Sequence, residues 1–111
     1  MTIKKYNKLV RDKIPEIIYR NGGTPKVTIA TPTEYGEFLS QKLKEEVQEY
    51  LDEPCVEELA DIQEVILSIV EYEGWRRKLE EVRVNKNINR GSFSCRFILL
   101  EVKENDEQDG N

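Results

Sequence analysis

Apolar residues recur at helical spacing through the middle of the chain. Leu43, Val47, Tyr50 and Leu51 form one stripe, and Ile62, Val65, Ile66, Ile69 and Val70 form a second. Glu53-Pro54 interrupts the pattern between them. Thr31-Pro32-Thr33-Glu34 has the form of a capping box with proline at the first helical position, so the first long helix starts near Pro32 and runs to about Asp52. Gly36 inside it costs roughly 1 kcal/mol against alanine and marks a place of close helix approach. Pro54 opens the second long helix and Gly74 ends it. So short a connection makes the two antiparallel neighbours.

The flanking patterns are weaker. Within residues 3–23 a basic start leads into a helix, with Pro15 early, Ile14, Ile17 and Ile18 on one face, and Gly22-Gly23 as its stop. Residues 75–90 predict another helix, with Trp75, Leu79 and Val82 facing inward and Lys86 and Asn89 prolonging that face towards Gly91. Residues 26–30 and 94–102 are rich in β-branched and apolar residues and predict two short strands, marginal as a pair. The expected fold class is all-α, a helical bundle with two marginal β-strands. Residues 1–103 are expected to form one domain, and the polar stretch 104–111 a disordered tail. The long helices carry more apolar surface than the small ones can cover, which predicts completion as a homodimer or homotetramer.

Composition narrows the function classes. No apolar run approaches the roughly 20 residues a membrane helix needs, and the first residues do not read as an export signal. Cys55 and Cys95 have no metal or redox spacing, as expected of reduced thiols in a cytoplasmic protein. The net charge of −5 hides a division: residues 1–26 carry seven Lys/Arg against two acids, 27–73 two against thirteen, and 74–103 eight against three. An acidic middle between basic flanks suits a site that holds cations centrally and grips an anion's outer phosphates from either side. Negative overall charge, without a basic arm or recognition helix, argues against a nucleic-acid partner.

The acids themselves are patterned. Glu46 falls inside the apolar stripe of the first long helix, where a surface carboxylate has no reason to be. Glu46/Glu49 and Glu58/Asp61 are i, i+3 pairs, about 60° apart around their helices, and antiparallel packing turns one pair towards the other. Such a group repels itself unless a positive charge sits within it. The chain has no His and its two Cys are far apart, so the expected ion is Mg²⁺ or Mn²⁺, which in turn suggests a phosphate-bearing substrate. Lys8, Arg11 and Lys13 are placed to reach either a phosphate or the acidic helices.

Glu45-Glu46-x-x-Glu49 followed by Glu58-x-x-Asp61 resembles the signature of the MazG-like all-α nucleoside triphosphate pyrophosphohydrolases. Residues 6–15, Tyr-Asn-Lys-Leu-Val-Arg-Asp-Lys-Ile-Pro, and Lys86-Asn87-x-x-Arg90-Gly91-x-Phe93 resemble the ends of a phosphoribosyl-ATP pyrophosphohydrolase-like, house-cleaning branch. The resemblance implies Mg²⁺-dependent hydrolysis of a nucleoside triphosphate to the monophosphate and pyrophosphate. It gives Glu46, Glu49, Glu58 and Asp61 the role of metal ligands and Lys86, Arg90 and Asn89 that of neutralising the triphosphate. Glu45 is left with several roles: a second ion, the orientation or deprotonation of water, or a pair with Lys42 or Lys44. Phosphoribosyl-ATP as substrate and a nonenzymatic nucleotide- or metal-binding module are the alternatives.

Overall fold

A computed structural model describes residues 2–104, and every regular element among them is helical: α1 (Ile14–Arg20), α2 (Pro32–Asp52), α3 (Val56–Glu73) and α4 (Arg76–Arg90). The chain divides into two compact units, Met1–Arg77 and Lys78–Asn111. None of the described helices is long and apolar enough to cross a membrane.

Local chemistry sets the helix ends in the first unit. Pro15 lies in the first turn of α1, where its missing N–H costs nothing. Gly22, at φ +93°, turns the chain out of α1, and the N–H groups of Gly22 and Gly23 donate to the Tyr19 and Ile18 carbonyls at 3.1 and 3.0 Å. At the start of α2, Thr31 Oγ1 accepts from the Glu34 N–H at 3.2 Å while Glu34 Oε1 accepts from the Thr31 N–H at 2.8 Å. This reciprocal capping box is the one the sequence predicts. Helix α3 begins at Val56, two residues after Pro54, because Cys55 is extended (φ −157°, ψ 166°) and forms the cap. Glu57 and Glu58 then lie in its first turn, at the positive end of the helix dipole. Gly74 ends α3 in the left-handed region at φ +74°, with the Trp75 N–H donating to the Val70 carbonyl at 2.9 Å.

Helices α2 and α3 pack along one another. Leu39, Val65 and Val70 are the buried apolar residues of the described chain, flanked by half-buried Leu43, Tyr50, Ile62 and Ile69. Near the far end of the hairpin the rings of Tyr35 and Tyr72 meet edge to face at 5.6 Å and 82°. Gly36 lies against Tyr72, where a β-carbon would stand 2.7 Å from the phenolic oxygen, so the close approach expected at this glycine is made by that ring. Val47, Leu51 and Ile66, from the expected stripes, remain exposed. One seam is closed, and much apolar surface lies outside it.

Other expectations need correction. Helix α4 buries no residue: Leu79 and Val82, on its expected inward face, are exposed, as is Trp75 just before it. An amphipathic pattern specifies a face without supplying the surface that covers it. Among the described residues there is no strand. Residues 26–30 have no ladder partner, and Val27 and Ile29 are exposed. In the segment 94–102, the Arg96 N–H closes a turn onto the Phe93 carbonyl at 3.1 Å, with Arg96 at φ +59°, and Phe97–Leu100 follow without regular structure. A β-propensity needs a neighbouring edge to act on, and neither segment finds one within its unit. The expected disordered tail lies outside the described residues from position 105 onward.

Candidate metal centre

Helical spacing places Glu46 in line with Leu39, Leu43 and Tyr50, on the face of α2 that meets α3. Only 5% of the residue is exposed, and among the described residues it is the one charged residue at a buried position. Glu58 and Asp61, both half-buried, come from the first turns of α3. Oxygens of Glu46, Glu58 and Asp61 lie within 4.8 Å of one another, and oxygens of Glu45, Glu46 and Glu49 do the same, so Glu46 belongs to both groups. The structure thus brings together all five carboxylates that the sequence singled out, in two groups sharing one member. Glu49 is on the exposed side.

Three cations stand among them. Lys8 Nζ is 3.1 Å from Glu45 Oε1, Arg11 Nη2 is 2.7 Å from Asp61 Oδ1, and Lys42 Nζ lies 3.3 Å from Glu45 Oε2 and 3.2 Å from Glu46 Oε1. Lys8 and Arg11, both exposed, precede α1 in the chain. Lys42, whose side chain is 17% exposed, is the partner the sequence offered Glu45 as one of several roles, and its second contact, with Glu46, was not anticipated. Its positions three and four before Glu45 and Glu46 are the signal that could have identified it. Five carboxylates against three cations leave two negative charges uncompensated, the charge of one divalent ion.

Protonation preferences follow from these contacts. Burial raises the Glu46 pKa above the usual carboxylate range and the nearby charge of Glu49 adds to this, outweighing the opposing pull of Lys42. For Glu45, partial burial works upward, but hydrogen bonds from Lys8 and Lys42 prevail and hold it below that range. Burial likewise opposes the Lys42 ammonium, and Glu46 and Glu45 together still raise its pKa. Glu45 is therefore a settled anion, whereas Glu46 carries a charge that its surroundings only partly satisfy.

The fit to a metal is tested by what the cations leave over. Glu46 Oε2 and Glu58 Oε2 are buried and accept no hydrogen bond among the described residues. Buried carboxylate oxygens without partners are costly, and a ligand set made entirely of oxygens suits a hard divalent cation such as Mg²⁺ or Mn²⁺. Beside the carboxylates is a cleft of about 70 Å³ lined by Lys8, Leu9, Phe38, Gln41, Lys42 and Glu45. Pockets for whole ligands are usually ~300 Å³ or more, so the cleft can take only part of a nucleotide.

Lys86, Asn89 and Arg90 lie on the last turns of α4, in the second unit, and all three are exposed. Lys86 and Arg90 are one helical turn apart and share a face. Comparison with models of protein families, with curated proteins and with solved structures gave no match.

Proposed function

We propose that this chain is a Mg²⁺-dependent nucleoside triphosphate pyrophosphohydrolase of the MazG-like all-α kind, yielding a nucleoside monophosphate and pyrophosphate. The observation that carries the reading is the pair of buried, unpartnered oxygens, Glu46 Oε2 and Glu58 Oε2, on carboxylates whose ligating atoms gather with Asp61 within 4.8 Å. Ordinary surface acids satisfy themselves with water. Glu46, Glu58 and Asp61 would hold the ion, with Glu49 at the margin. Bound there, Mg²⁺ or Mn²⁺ would neutralise phosphate charge and acidify a coordinated water.

The remaining groups fit phosphoryl chemistry, in which positioning and charge neutralisation matter more than a covalent nucleophile. Water would add at the α-phosphorus as the bond to the bridging oxygen breaks, pyrophosphate leaving with that electron pair and the water's proton passing to solvent. Glu45 is held ionised between Lys8 and Lys42, and its lowered pKa suits a carboxylate that orients water by accepting a hydrogen bond better than one that must take up a proton near neutrality. Lys8 and Arg11 are the proposed phosphate-binding side chains of the first unit, and the resemblance proposes the same role for Lys86, Asn89 and Arg90 on α4. The narrow cleft and the exposed Leu51, Leu59 and Leu67 support completion of the bundle and of the nucleotide pocket by a second copy.

Pyrophosphate release from a panel of standard and non-standard nucleoside triphosphates tests the activity. Turnover of at least one member with Mg²⁺ or Mn²⁺, abolished in Glu46→Ala, is the expected result. A folded protein that turns over none of the panel, or full activity in Glu46→Ala, refutes the reading. Light scattering on a sizing column tests the assembly: the wild type should elute as a dimer or larger, and a monomer at assay concentration would refute it.

A further inference from the structure

The carboxylates of the first unit are already served by cations, and those cations differ in how firmly they are held. Lys42 is largely buried and touches two acids from its own helix. Lys8 and Arg11 are exposed, each makes one ion pair here, and their partners lie 37 and 50 positions away in sequence. Exposed pairs of this kind contribute little and are readily broken. Yet Arg11 sits 2.7 Å from an oxygen of Asp61, a member of the same three-residue group whose other two acids, Glu46 and Glu58, keep buried oxygens free.

Resting on the metal-centre reading above, we infer that Arg11 and Lys8 are exchangeable counter-cations. They hold Asp61 and Glu45 while the site lacks its metal and pass to the phosphate chain once a divalent ion has taken the carboxylates. The electrostatics require a handover of this sense. Glu46, Glu58 and Asp61 would hold the divalent ion, and its charge beside Asp61 would weaken the ion pair between Asp61 and Arg11. The uncompensated charge then belongs to the incoming anion, and a guanidinium's planar set of donors matches phosphate oxygens. Lys42, half-buried on α2 between Glu45 and Glu46, stays in place. The segment before α1 would thus link metal loading to anion capture, with the metal bound first.

Calorimetric titration of the full chain tests this, using Mg²⁺ alone and then pyrophosphate at saturating Mg²⁺. Arg11→Ala should bind Mg²⁺ alone at least threefold more tightly, because a competing cation is gone, and pyrophosphate about tenfold more weakly. Arg11→Lys should recover part of the pyrophosphate affinity, and Lys8→Ala should shift both constants in the same directions as Arg11→Ala. Unchanged or weaker Mg²⁺ binding by Arg11→Ala overturns the exchange, since Arg11 would then organise the carboxylates rather than compete for them. Unchanged pyrophosphate binding overturns it too, because Arg11 would never leave Asp61. Wild-type protein that takes up no Mg²⁺ sinks the metal-centre reading and the exchange together, whereas uptake with either contrary variant result sinks the exchange alone.

Discussion

Replacing Glu46 by glutamine keeps the side chain's shape and removes one charge from the buried seam between α2 and α3. The wild-type residue is 5% exposed, belongs to both acidic groups and has one unpartnered oxygen. Lys42 loses one contact at 3.2 Å but keeps Glu45 at 3.3 Å, so no cation is stranded. The amide nitrogen can donate to neighbouring carboxylates. Without metal, Glu46→Gln should therefore be more stable than the wild type by about 1 kcal/mol, or ~4–8 °C in a domain of this size. With Mg²⁺ the order of benefit reverses. At one hundred times Kd a native-state ligand adds about 2.7 kcal/mol, and a tenfold weaker site at the same concentration adds only about 1.4. Loss of a charged ligand shared by both groups should weaken the site by ~10-fold or more, so the Mg²⁺ increment should at least halve. Circular dichroism melts in chelator and in MgCl₂, with ionic strength matched by KCl, read both effects. Equal Mg²⁺ increments in the two proteins would refute the metal argument. A metal-free Glu46→Gln destabilised by about 3 kcal/mol or more would show instead that the Glu46–Lys42 pair is structural.

Other consequences concern pH and packing. Because the folded pKa of Glu46 is raised, its contribution is fully present below the unfolded value and is lost as pH rises through the folded one. The metal-free stability advantage of Glu46→Gln should therefore grow with pH across that window and then level off in melts between about pH 4 and 8. Glu45 has the opposite sign: its depressed pKa gives stability above the unfolded value that is lost as pH falls through the folded one, and Glu45→Gln should remove that dependence from the same melts. Thr31→Ala breaks the capping box and should cost about 1 kcal/mol in urea unfolding, with the m-value unchanged. Gly36→Ala gains roughly 1 kcal/mol of helix propensity but drives a methyl into the Tyr72 ring, so it should be net destabilising in the wild type and stabilising in a Tyr72→Ala background.

Several features were legible in the residues because their causes lie within one helical turn. The capping box at Thr31 and Glu34, the end of α3 at Gly74, and the place of Glu46 among apolar neighbours all follow from spacings of four residues or fewer. The start of α3 was read two residues early, because Pro54 marks a break without fixing the conformation of Cys55. The strand expected over 94–102 failed because its apolar run signals a partner that its own unit does not supply, and a local turn at Phe93–Arg96 takes its beginning.

By itself the sequence determined that two amphipathic helices carry acids on or beside their apolar faces, since periodicity is a property of the chain alone. Tertiary structure decided which charges meet. Arg11 and Asp61 are 50 positions apart, Lys8 and Glu45 are 37, and no local rule selects these partners over the other bases. It also decided that the oxygens of Glu46 and Glu58 would be enclosed without donors, a condition that depends on how α3 lies against α2. Helical spacing can aim a carboxylate, but only the packed neighbour determines whether water still reaches it.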